Sequence, residues 1–61
     1  MAQVKHGNTS INMRYSPINQ AWVVWREDSG HQALVRVFNE QWEAREDYER
    51  RAEFFLSLVR I

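Results

Sequence analysis

From Ser10 to Ser16 apolar and polar residues alternate, with Ile11, Met13 and Tyr15 on one side and Asn12, Arg14 and Ser16 on the other. That is the period of a half-buried strand. Ser16-Pro17-Ile18-Asn19 is turn chemistry, with Pro17 suited to the first central position, and a second strand is predicted from Ala21 to Glu27. Asp28-Ser29-Gly30 fits a three-residue hairpin loop whose last residue takes the left-handed conformation that glycine tolerates. This loop sets Glu27 opposite His31, Val24 opposite Leu34 and Val23 opposite Val35. One face of the hairpin is then Ala21, Val23, Trp25, Ala33, Val35 and Val37, wholly apolar; the other is Trp22, Val24, Arg26, Gln32, Leu34 and Arg36, mixed. A two-residue Ser-Gly loop would shift the pairing by one and bring Arg36 beside Val23 and Ala21, so the three-residue loop is preferred.

At Phe38-Asn39-Glu40 the period changes. Asn39 suits a helix N-cap, and Glu40 and Glu43 lie where the helix dipole favours negative charge. No helix breaker follows before Val59, and Ala44, Tyr48, Ala52, Phe55 and Val59 recur as one stripe able to lie on the apolar sheet face. Glu46 with Arg50 and Asp47 with Arg51 are favourable four-apart pairs on a solvated face. Phe54, Leu58 and Ile61 form a second stripe, with Trp42 and Leu56 on the opposite flank. The prediction is an α+β domain over residues 10–61, a three-stranded antiparallel sheet packed against one C-terminal helix (βββα). Residues 1–9 are predicted to be a flexible N-terminal arm.

Size makes the surplus apolar residues matter. A 61-residue chain buries only about 60% of the surface its unfolded form exposes, and small domains commonly add disulfides, a metal or oligomerisation. With no cysteine, disulfides, thiolate metal sites and cysteine nucleophiles are excluded. His6 and His31 alone do not suggest a structural zinc, and no cofactor is expected. Oligomerisation or partner binding is left, and Phe54, Leu58, Ile61 and Trp42 are the candidate residues for a homodimer or second interface. MAQVKHGNTS lacks the apolar core of a signal peptide and no stretch is long and apolar enough to span a bilayer, so a cytoplasmic protein without membrane contact is expected.

Catalysis is not expected, nor a small-molecule substrate. Asp28, Ser29 and His31 include the residue types of a hydrolytic triad, but almost contiguous on a hairpin tip they cannot converge as nucleophile, base and orienter. The carboxylates lie mostly beside arginines on the outer helix face, and two glycines leave no phosphate-cradling loop.

The mixed face is the predicted working surface: Trp22, Val24, Arg26, Leu34 and Arg36, joined by Asn12 and Arg14 if the first strand pairs with Met13 and Tyr15 inward. Arginine and asparagine can read base edges in a major groove; Trp22 opposite Arg36 could equally be a cross-strand cation–π pair. Three short strands, a tryptophan-bearing middle strand and "FNEQWEAREDYERRA" resemble the plant ethylene-response-factor type of DNA-binding domain and the arm-binding domains of phage and transposon integrases. Phe38, Asn39, Glu43, Ala44, Tyr48 and Ala52 carry the resemblance, which spans about Ile11 to Phe55 and rests mainly on residues that pack helix on sheet. It implies duplex DNA as partner, read by Arg14, Trp22, Arg26 and Arg36. The chain departs from that family in a less basic sheet, in Arg36 where a glycine is usual, and in its zero net charge, which removes the general attraction for phosphates. Trp, Val, Leu and Arg together have the composition of a protein interface centre. The expected function is therefore a small non-enzymatic binding protein that contacts a host or element-encoded protein. In format it is similar to the accessory regulators and inhibitors of phages and mobile elements, anti-defence inhibitors included; DNA binding is the alternative.

Overall fold

Gly7 and Asn8 turn the chain back on itself, earlier than the alternation starting at Ser10 predicts. The computed structural model describes residues 2–59, and in it the expected N-terminal arm is a strand, β1 (Ala2–His6), antiparallel to β2 (Thr9–Ser16). Gly7 has φ 62° at the first position of the two-residue loop, where a type II′ hairpin takes glycine. β3 (Ala21–Asp28), β4 (His31–Phe38) and helix α1 (Gln41–Val59) follow, and the sheet order is β1-β2-β3-β4. The fold is α+β with a four-stranded antiparallel sheet and one C-terminal helix, and the three-stranded prediction is incorrect.

Between β2 and β3 the hydrogen-bonded turn runs from the Pro17 carbonyl to the Gln20 amide, 3.3 Å. Pro17 is thus the first residue of that turn rather than its first central one. This four-residue loop sets Ser16 opposite Ala21, and so Met13 opposite Val24 and Ile11 opposite Arg26. Its length decides the faces. Odd-numbered residues of β2 share a side with even-numbered residues of β3.

The β3–β4 hairpin also differs from expectation. Asp28 pairs with His31 across a two-residue loop in which Ser29 and Gly30 both have positive φ, 50° and 86°, the requirement of a type I′ turn. Alone, that loop would set Arg36 beside Val23. A bulge between Val24 and Arg26 inserts one residue of β4, so that beyond it Val24 pairs with Arg36 and Val23 with Val37. Leu34 sits at the bulge with φ 53°. The predicted apolar face is kept only in part: Val23, Trp25, Val35 and Val37 share it, but Ala33, opposite Arg26, turns to the other side, and Gln32, opposite Glu27, takes its place.

The helix, however, lies across the other face. Met13, Val24 and Ala44 form the centre of the core, with Ala2, Trp22, Phe38 and Tyr48 packed around it. Val24 and Ala44 are fully buried, and burying one valine is worth roughly 1.5–3 kcal/mol. The reason lies in β1 and β2, which bring Ala2, Val4, Ile11 and Met13 to this side and Gln3, Lys5, Asn12 and Arg14 to the other. A helix over the sheet centre therefore meets apolar residues from β1, β2 and β3 only on the Val24 side.

Helix α1 uses the predicted stripe. Ala44 and Phe55 are buried, and Tyr48, Ala52 and Val59 are half-buried; burial pushes the Tyr48 phenol above its ordinary value of 10.0. Its first backbone bond runs from the Ala44 amide to the Glu40 carbonyl, 3.3 Å, so the capping position is Glu40, one residue later than Asn39. Among the described residues no helix is long and apolar enough to cross a membrane.

Candidate functional site

Two surfaces stand open once the helix is placed. The first is the outer face of the sheet. It presents Val23 and Trp25 from β3 and Val35 and Val37 from β4, with Arg14 and Asn12 from β2 opposite Val23 and Trp25. Val35 and Val37 remain 51% and 58% exposed. Arg14, Ser16, Val23, Trp25, Gln32 and Val35 border one shallow hollow on this face. Beside it runs a polar chain. Gln3 Nε2 donates to Asn12 Oδ1 at 2.7 Å, and Asn12 Nδ2 donates to Ser10 Oγ at 3.0 Å. Ser10 and Asn12 are buried although the helix is on the opposite side, so they are shielded by their neighbours on this face. The Trp25 indole donates to Glu27 Oε2 at 3.2 Å.

The second surface is a groove between β4 and the later turns of α1. Leu34 on one lip and Phe54 and Leu58 on the other flank a floor that includes Ile11 and Phe55, in a hollow of about 450 Å³. Leu34, Phe54 and Leu58 are 68%, 66% and 49% exposed. Arg51 ties the lips together: its Nη1 donates to the Leu34 carbonyl at 2.6 Å and its Nε lies 2.9 Å from Asp47 Oδ2.

The predicted working surface divides between the two sides. Arg14 is exposed on the outer face, while Asn12 is there but buried. Val24 is inaccessible beneath the helix, and Trp22 packs edge-on to Tyr15 with ring centroids 5.3 Å apart. Arg26 is also on the helix side, where its Nε and Nη2 donate to Asp28 at 2.9 and 3.2 Å; Thr9 Oγ1 donates to the same carboxylate at 2.7 Å. These bonds, the Arg26 one foremost, hold the Asp28 carboxyl below its ordinary value of 3.8. Arg36 borders a crevice with Phe38, Trp42 and Asp47, and Leu34 belongs to the groove. The correction follows from the Met13–Val24 register, which turns Trp22, Val24, Arg26 and Arg36 toward the helix. Sequence reasoning missed Val23, Trp25 and Val37 as surface residues because it placed that ribbon under the helix.

The predicted second interface also separates. Phe54 and Leu58 share the groove, Trp42 lines the crevice near the start of the helix and is 65% exposed, and Ile61 lies outside the described residues. Among the described residues no three metal-ligating side chains gather, and Asp28 of the triad-like hairpin tip is engaged by Arg26 and Thr9. Comparison of the chain with protein-family models, with curated proteins and with solved structures finds no match.

Proposed function

We propose that this chain is a small, non-catalytic binding protein of the cytoplasm that regulates or inhibits a partner by protein–protein contact through the outer sheet face. One observation carries the reading: the helix covers the mixed face and leaves the apolar ribbon of Val23, Trp25, Val35 and Val37 uncovered. Contiguous exposed apolar surface on a small protein marks an interaction site. Tryptophan and arginine are the side chains that anchor interface centres, and Trp25 and Arg14 stand on this face. The polar Gln3–Asn12–Ser10 chain lies to one side, as part of a hydrogen-bonding rim. The phage- or mobile-element-type regulator predicted from the chain's format keeps its binding role here, with a different set of contact residues.

The division of cations favours a protein over duplex DNA. Of the groups that would read DNA by resemblance, only Arg14 stands on the outer face, where Lys5 joins it and Glu27 opposes it. To test the reading, the wild-type chain, Val37→Lys and Arg45→Ala are immobilised at equal density and exposed to extract of the native host. Each retained protein is then purified and its binding reconstituted. The expected result is a stoichiometric complex lost with Val37→Lys and kept with Arg45→Ala, which alters the exposed helix. A partner bound equally by all three overturns the assignment of the face.

A further inference from the structure

We propose that β4 has two registers against β3, and that a clasp from the helix, Arg51, selects the one that leaves Val35 and Val37 on the outer face. The Ser29-Gly30 turn sets Asp28 opposite His31, Glu27 opposite Gln32 and Arg26 opposite Ala33, and both registers share these pairs. They part after Ala33. In the observed register Leu34 is the extra residue, and Val24 pairs with Arg36 and Val23 with Val37. Without the bulge, Trp25 would face Leu34, Val24 would face Val35 and Val23 would face Arg36. A shift of one residue turns every side chain to the opposite face. Val35 and Val37 would then pass to the helix side and Arg36 to the outer face.

The residues of β4 suit the register without the bulge. Ala33, Val35 and Val37 alternate unbroken with Gln32, Leu34 and Arg36, the pattern of a regular strand with one apolar side. The bulge breaks that pattern. It gives Leu34 a φ of 53°, a left-handed backbone that is unfavourable for a residue with a Cβ, and it leaves Val35 and Val37 more than half exposed.

Two contacts offset these costs. Phe38 is kept opposite Trp22 and packed on the core. Arg51 Nη1 donates to the carbonyl of Leu34, the bulged residue itself, at 2.6 Å, while its Nε lies 2.9 Å from Asp47 Oδ2; both side chains of the pair are mostly buried. Hydrogen bonds from a charged donor are among the stronger ones. β4 is an edge strand, so the shift disturbs no further strand. The exchange belongs to the isolated chain; its consequence for binding rests on the outer face being the contact surface proposed above. A partner seated on Val35 and Val37 binds the bulged register alone and draws the population into it.

The chain has no cysteine, so paired substitutions read the register, because opposed residues of an antiparallel pair lie within disulfide reach. Val23→Cys with Val37→Cys reports the bulged register, and Val23→Cys with Arg36→Cys the other. Deletion of Leu34 removes the extra residue, holds Val24 opposite Arg36 and serves as the locked reference. Arg51→Ala is combined with Asp47→Ala so that no buried carboxylate loses its counter-charge. Under mild oxidation the Val23/Arg36 cysteine pair is expected to cross-link slowly with the clasp present and about tenfold faster without it, the effect of losing one hydrogen bond from a charged donor. In the Leu34 deletion that pair should not cross-link. In the unmodified chain, NMR relaxation dispersion is expected to show the amides of Val35 to Phe38 exchanging on the microsecond-to-millisecond timescale, with the exchange abolished by the deletion. Cross-linking of the Val23/Arg36 pair no faster without the clasp than with it, or an unmodified chain without exchange beyond Ala33, overturns the inference. If the clasp-free variant does not fold, the relaxation measurement decides alone. None of these measurements involves a partner, so they fail or succeed separately from the Val37→Lys binding experiment.

Discussion

Val24 and Val37 are the same side chain on neighbouring strands, and the sheet turns them to opposite sides. Val24 is fully buried against Met13 and Ala44, whereas Val37 is 58% exposed. Val24→Ala is therefore expected to cost about 2 kcal/mol, lowering Tm by roughly 8–16 °C for a domain of this size. Val37→Ala should stay within about 0.5 kcal/mol. Thermal melts of the two variants read the faces; the reverse order would return the Val37 face to the helix. Asp28 makes a separate prediction. Arg26 and Thr9 hold its folded-state pKa below 3.8, so its stabilising contribution is complete above pH 3.8 and is lost as pH falls through the lower folded value. Urea midpoints across the acid range should fall less steeply for Asp28→Asn than for wild type.

Elements with a strong period were legible in the sequence, and those defined by pairing alone were not. Alternation at Ile11, Met13 and Tyr15 identified β2, and the Ala44–Tyr48–Phe55 stripe identified both the helix and its buried side. β1 has Val4 as its one strand-favouring residue; its signal was the Gly7-Asn8 dipeptide, a hairpin loop that only means something with a strand on each side. The bulge left no composition cue, because Leu34 stands where glycine is the expected residue. At that element we predict that Leu34→Gly raises stability by about 0.5–1 kcal/mol through relief of the left-handed strain. Chemical unfolding measures the change, and a loss of stability would mean that the leucine serves the fold itself.

At the scale of the whole molecule, two apolar surfaces competed for one helix. Judged by the hairpin alone, the cleaner face belongs inside, and this is where the sequence reading went astray. The loop Pro17–Gln20 couples the hairpin to β2, and β2 is polar on that side; the helix takes the less uniform β3–β4 face because Met13, Ile11 and Ala2 come with it. That placement also bears on DNA. Net charge is zero, and the outer face offers Arg14 and Lys5 against Glu27, while Arg26 is occupied by Asp28 on the helix side. Non-specific DNA affinity grows with the number of phosphates neutralised and is strongest at low salt, so two opposed cations give little to measure. Duplex DNA at about 50 mM salt is expected to keep its electrophoretic mobility in the presence of the chain. A shift that weakens with added salt and is lost with Arg14→Ala would instead make the outer face a nucleic-acid surface, with Trp25 and Val37 meeting bases rather than a partner's side chains.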